Sequence, residues 1–387
     1  MDLRIEGGRA LVDGGLMETT IDVTSADGGV VTNVGQSGGS PPRLDAHDLL
    51  VLPGIVDIHG DAFERQMMPR PGVDFPIDVA LIDTDRQVVA NGITTVFHGV
   101  TWSWEPGLRG PENARAILES IERLRPQFAA DTRFHLRHET YNLDAEAEIS
   151  EWLAGRRIGL LAFNDHMTLT VEASNRIGKK AEMAKRSGLS EEDFDDLVER
   201  VKRRSNEVPG SIVRLAEAAV ASGVPLLSHD DTSPVQRRWF GSLGCRIAEF
   251  PTTIETTREA ASQGDHIVFG APNVVRGGSH TGWTSAAEMV ESGLCSILAS
   301  DYYYPAPLLA AFRLASDNIV PLEKAWTLVS EAPAAAVGLT DRGRVAGGQR
   351  ADLILVDARE SRRPRVIATI VAGRIVHLAN ADRLYLS

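Results

Sequence analysis

Cysteine is nearly absent from this chain. Two occur among 387 residues, Cys245 and Cys295, each in an apolar, strand-like stretch. Such a pair offers no disulfide framework and points to a reduced, cytoplasmic protein. Long apolar runs are missing as well. No stretch reaches the roughly 18 residues that a membrane-spanning helix needs. The opening MDLRIEGGRALVDGG lacks the basic-then-apolar order of a secretory leader. Positive charge is also in short supply, with 40 Lys+Arg against 53 Asp+Glu and a formal net charge of −13. That balance argues against general nucleic-acid binding. It leaves room for a locally basic site that takes an anionic small molecule. The rest of the composition, 43% hydrophobic and 24% charged, is ordinary for a globular protein with a large core.

What is present is strongly patterned. Residues 1–50 hold short alternating pieces (ALVDGG, TTIDVTSADGG, VVTNVG) separated by Gly, Asp and Ser, as in a small β domain. From residue 53 apolar strand runs alternate with helical stretches. VDIHG, ITTVFHGV, FHLRHET, IGLLAFNDH, VPLLSHDD, CRIAEFP, HIVFGAP and CSILASD are the strand pieces. This repetition predicts a (β/α)8 barrel, a TIM barrel, over 53–344. Strand patterns return in GRVAGGQRADLILVDA and RVIATIVAGRIVHL. Residues 1–52 and 345–387 together are therefore expected to form a β-sandwich interrupted by the barrel. The segment 171–210 is long for a βα connection and highly charged, a candidate lid or a solvated pair of surface helices. Within it, Ser190 and Asp193 have the spacing of a helix start.

Barrel enzymes gather their chemistry at the C-terminal ends of the strands. Pro53 and Gly54 break the chain before Ile55–Ile58, and His59 and Asp61 follow, two apart and on one side of extended chain. Later strands end in Glu139, His166, His229 and Asp301. Three imidazoles and three carboxylates at strand ends can hold two divalent ions, with Glu139 able to bridge them. Zinc is the first choice, and manganese and iron suit the same donors. Two cations would acidify a shared water, and Asp301 is placed to accept its proton. His135 and Arg137 share a face with Glu139 and should point into the barrel, whereas His138 should face the helices. His98 is expected behind the site. A second set is basic. Arg70 lies in PRPGVDFP, and Arg276 and His280 lie in GAPNVVRGGSH, where glycines let backbone N–H groups approach a ligand. With Arg137 they suggest a phosphorylated substrate, because guanidinium pairs with phosphate bidentately. Lys179 and Lys180 in the charged insertion read as ordinary surface residues.

The motifs HGDAFERQMMPRPGVDFP, GITTVF, HLRHE, SHDDT, EFPTT, GAPNVVRGGSHTGW and ILASDYYYP, with Asp165–His166, run through most of the barrel. Together they resemble the α-D-ribose 1-methylphosphonate 5-triphosphate diphosphatase family of the amidohydrolase superfamily, which serves phosphonate metabolism. The resemblance implies a hydrolase that uses metal-bound hydroxide to cut a sugar 5-triphosphate between its α and β phosphorus atoms, releasing pyrophosphate. It implies His59, Asp61, Glu139, His166 and His229 as ligands, with Asp301 as ligand and proton-transfer group. HGVTWSWEPGLRG departs from the family pattern. Trp102 and Trp104 there are expected to reshape the pocket, Trp102 as a substrate contact that stacks on a ring. Two rivals stay open: an amidase or deaminase acting on a C–N bond of a cyclic amide, and a metal-free relative that serves only in assembly. A homo-oligomer is compatible with either.

Overall fold

The computed structural model describes residues 2–36, 38–70, 72–168, 183–185, 187–278 and 285–386. Near the start, the alternating pieces form seven strands: β1 (Asp2–Glu6), β2 (Arg9–Val12), β3 (Gly15–Glu18), β4 (Ile21–Thr24), β5 (Val31–Val34), β6 (Arg43–Asp45) and β7 (Leu50–Pro53). The barrel strands follow: β8 (Ile55–Gly60), β9 (Ile93–Trp102), β10 (Asp131–Glu139), β11 (Leu160–Asn164), β12 (Leu226–His229), β13 (Cys245–Glu249), β14 (His266–Gly270) and β15 (Ile297–Ala299). Four more close the chain: β16 (Leu353–Asp357), β17 (Arg365–Val371), β18 (Arg374–Leu378) and β19 (Leu384–Tyr385).

Strands β8 to β15 pair in sequence order as one eight-stranded parallel sheet with helices between successive strands. Its inner face is apolar for most of its depth. Val56, Ile58, Phe97, Leu160, Ala162, Leu227, Ile247, Val268, Ile297 and Ala299 form one buried cluster, so the barrel is a packed core rather than a pore. The outer face packs on helices such as Pro111–Leu124 and Val208–Ser222, whose apolar residues recur at helical spacing. The two remaining sheets mix strands from both ends of the chain, in the orders β19-β6-β1-β4-β5 and β18-β17-β16-β7-β2-β3. They are tied to the barrel by polar contacts. The Trp326 indole N–H donates to the Pro53 carbonyl at 3.1 Å, and the Thr369 hydroxyl donates to the Val89 carbonyl at 2.7 Å.

Ser190 caps the helix Glu191–Lys202 by accepting from the Asp193 backbone N–H at 3.1 Å. Phe194 and Val198 of that helix are buried against Met167 and Met183, with Trp104 packed alongside. This stretch of the charged insertion is thereby fastened beside the residue that follows His166. Lys179 and Lys180 lie outside the described residues. Among the described residues no helix is long and apolar enough to cross a membrane.

The barrel closes where β8 meets β15. The Asp301 backbone N–H donates to the His59 carbonyl at 2.9 Å, and the Asp61 N–H donates to the Asp301 carbonyl at 3.0 Å. Just below, the Asp57 carboxylate accepts from the Ser300 backbone N–H (3.0 Å), the Ser300 hydroxyl (2.5 Å) and the His59 N–H (3.3 Å). Gly60 makes this approach possible. A Cβ there would sit 2.8 Å from the Asp57 carboxylate and 3.0 Å from the Tyr304 ring. Both neighbours are buried and held, so neither can yield cheaply. Gly60→Ala should therefore destabilise the fold by about 1–3 kcal/mol, the usual cost of overpacking. Urea denaturation measures this, and a variant within experimental error of the parent would show that the seam is not tight.

Candidate metal centre

The seam delivers three ligand types to one point. Donor atoms of His59, Asp61 and Asp301 lie within 4.8 Å of one another. A second grouping of the same tightness joins His59 to His229 and Glu249. Glu249 was not singled out in the sequence. It ends CRIAE on β13, so the strand-end rule that selected His229 applied to it equally. It is fully buried, and its Oε1 lies 2.7 Å from His59 Nδ1. A carboxylate behind one imidazole nitrogen fixes the tautomer and aims the other nitrogen at a ligand, a standard arrangement behind metal-bound histidine. The other oxygen, Oε2, is buried and has no hydrogen-bond partner. An unsatisfied buried carboxylate oxygen and two tight His/carboxylate groupings fit a divalent cation.

The remaining candidates sit around this core. Glu139 ends β10 and pairs with His166, Oε1 to Nδ1 at 2.5 Å, while its Oε2 accepts the His166 backbone N–H at 3.1 Å. Chiefly through that pairing, which outweighs its burial, Glu139 is held down at about 2. Neither tight grouping includes Glu139, whose carboxylate is held by His166. His229 ends β12, with Nδ1 3.1 Å from Asp230 and Nε2 3.2 Å from Arg137. Burial and the Arg137 charge push its pKa well below 6.5. Burial lowers His59 to about 3, and Arg137 adds to that. Both rings are thus neutral, the form that ligates metal. Burial raises the Asp301 carboxyl well above its ordinary range, and nearby Asp61 raises it further. Asp230 is pushed up to about 6, mainly by burial.

Strain marks the same ends. Asp230, Phe250 and Asp301 all have positive φ, at 59°, 55° and 53°. For a phenylalanine this is a genuine outlier, and such residues gather at sites where geometry is over-determined. Phe250 places its ring 4.9 Å from His59 and 5.2 Å from His229, an apolar wedge between the two imidazoles.

Parity along the strands explains the other outcomes. On β10, His135 and Arg137 share the inner face with Glu139, as expected. His135 Nδ1 lies 3.0 Å from the Ile58 carbonyl, and His138 packs outward against Phe163. His98 sits behind the seam, with Nδ1 3.5 Å from the Tyr304 hydroxyl. Trp102 requires correction as a substrate contact. It shares a face of β9 with Val96 and Val100, which pack toward the helices. It is 1% exposed, 4.8 Å from Trp152 and beneath Arg115. The Trp104 ring lies 5.9 Å from that of Phe194, tilted by 40°. Both indoles pack the helical layer and the insertion.

Of the basic set, Arg70 is exposed in the loop after β8, His280 lies outside the described residues, and Arg276 is exposed at the end of the short helix Ala271–Arg276. Arg276 reaches the Tyr302 hydroxyl at 3.4 Å, and Arg65, missed in the sequence, lies 5.8 Å over the Tyr302 ring. Tyr302 directly follows Asp301, so two guanidinium groups flank the residue beside the candidate proton acceptor.

A closed parallel barrel with His and carboxylate donors at its strand ends is the architecture of the amidohydrolase superfamily, and this protein is a hydrolase of that class. A family profile described as "Amidohydrolase family" matches residues 249–377. Solved structures with this fold include dihydropyrimidinase from Brevibacillus agri (TM-score 0.64, 12% identity, 98% of this chain and 95% of that one) and a β-aspartyl dipeptidase from Fervidobacterium islandicum (TM-score 0.63, 16% identity, 98% and 97%). The α-D-ribose 1-methylphosphonate 5-triphosphate diphosphatase of Escherichia coli K12 is 34% identical over 334 residues, 83% of this chain and 86% of that one. The chain belongs to that diphosphatase family.

Glu249→Gln keeps the shape and removes the charge behind His59. Zinc affinity should fall about 10–100-fold, the usual effect of losing such a partner. Equilibrium dialysis checks this, and unchanged affinity with an intact circular dichroism spectrum would leave Glu249 without that role.

Proposed function

We propose that this protein hydrolyses a sugar 5-triphosphate between the α and β phosphorus atoms, releasing pyrophosphate, as its relative's name describes for α-D-ribose 1-methylphosphonate 5-triphosphate. What carries the reading, beside family membership, is the pair Arg65 and Arg276 flanking Tyr302 next to Asp301. Charge of that sign at the mouth of an otherwise acidic centre suits a polyphosphate. A neutral cyclic amide would have no use for it, which disfavours the C–N alternative. Arg70 and His280 belong to the same basic set.

His59, Asp61, Glu139, His166, His229 and Asp301 are the residues that would hold metal, two divalent ions in full loading, zinc first. Such ions would neutralise phosphoryl oxygens and acidify water. The chain's own groups do the rest. Asp301 sits at the seam beside His59 and Asp61, where its carboxylate accepts a proton as water adds to the α phosphorus. The bond to the bridging oxygen breaks, and the pyrophosphate leaves toward Arg65 and Arg276, whose charge stabilises it. Two buried free thiols, both pushed above their ordinary range by burial, accord with a reduced cytoplasmic setting.

Loading the protein with zinc or manganese and assaying pyrophosphate release from sugar and nucleoside 5-triphosphates tests the reaction. Absence of release from every triphosphate, with metal bound, would overturn it. Asp301→Asn keeps the shape but cannot take the proton. Its kcat should fall about 10²–10⁴-fold with metal content nearly intact, and the acidic limb of the pH–rate profile should change. Near-full turnover would place proton transfer elsewhere. Arg276→Ala should raise KM and lower kcat together, because its charge serves ground and transition states alike. Unchanged constants on a verified phosphorylated substrate would make it structural.

A further inference from the structure

Arg137 occupies an unusual place for an arginine. It lies on the inner face of β10 between His135 and Glu139 and is 5% exposed. One terminal nitrogen donates to Asp61 Oδ2 at 3.1 Å, and the other lies 3.2 Å from His229 Nε2. A guanidinium can only donate, so His229 Nε2 must offer a lone pair. Its ring proton is then on Nδ1, facing Asp230 at 3.1 Å. The lone pair and the carboxylate that Arg137 engages are those a divalent ion would use. The guanidinium is otherwise poorly served, since its Nε is buried with no acceptor. Its charge is felt by His59, Glu139, Asp230 and Asp301 as well.

We propose that Arg137 is a built-in counter-cation that competes with divalent ions for their ligands, because it holds the His229 lone pair and one oxygen of Asp61. The centre therefore loads in two unequal steps. A first ion would be held by His59, Asp61 and Asp301, using the Asp61 oxygen that Arg137 leaves free. A second would engage His229 only as the guanidinium withdraws, because two cations cannot share one imidazole lone pair at these distances. In the metal-free protein Arg137 balances the buried acidic cluster, which would otherwise bear uncompensated like charges. This rests on the metal-dependent reading above.

The test is calorimetric titration of chelator-stripped protein with zinc, with ion-to-protein ratios measured by elemental analysis. The parent should show two classes of site, the second weaker by at least about tenfold. Arg137→Met, similar in length but uncharged, should tighten the second class by at least about tenfold. Its metal-free Tm should fall, and its rise in Tm on zinc saturation should exceed the parent's. Should the metal-free methionine variant fail to fold, Arg137→Lys serves. A single ammonium cannot span both partners, so the second class should again tighten. Two equally tight sites in the parent, or an unchanged second class in the variants, would overturn the exchange while leaving metal dependence intact. A parent that binds no zinc would overturn the metal reading itself and the exchange with it.

Discussion

An eight-stranded parallel barrel holds together only if its first strand finds its last, and here that joint is made by the residues that face the mouth. His59, Asp61 and Asp301 exchange backbone hydrogen bonds across the seam, while Asp57 grips Ser300 beneath them. The same bonds that shut the sheet fix three donor-bearing side chains relative to one another. Their mutual position is then set by the strongest cooperative element of the fold rather than by loops, which is how a constellation is held to the tolerance that chemistry demands.

Charge is the second constraint. Asp61, Glu139, Asp230, Glu249 and Asp301 converge in a poorly hydrated space, and Arg137 stands among them. Burying carboxylates is costly unless cations or donors answer them. His166 answers Glu139, and His59 answers one oxygen of Glu249. The raised proton affinity of Asp301 is the residue of that imbalance. A group kept willing to accept a proton is a by-product of crowding like charges where water is scarce.

Much of this was legible in the sequence because both the barrel and its chemistry follow simple periodicities. Apolar strand runs alternating with helices announced the sheet, and polar residues at run ends announced the site. Glu249 escaped although CRIAE obeys the same rule, because a lone glutamate after a strand attracts less notice than a histidine. Trp102 misled because β9 runs on to that residue, so strand parity rather than loop freedom decides its direction. Arg65 and Tyr302 were hidden for a different reason. Their proximity to each other and to Arg276 depends on the short helices after β8 and β14 meeting the turn after β15, and no local pattern encodes that.

The sheets woven from both chain ends bear on how the protein is made. Leu52 of β7 pairs with Ile354 of β16, and Leu44 of β6 pairs with Leu384 of β19. During synthesis β6 and β7 emerge long before β19 and β16 exist, although β1 to β7 can already pair among themselves. Until then β7 is an apolar strand with an open edge, able to pair with another chain. Contacts so distant in sequence are slow to form because the loop between them must first be closed. Each small sheet is thus completed only when the last residues arrive, and the barrel must take shape while one edge of β6 and one edge of β7 are still open.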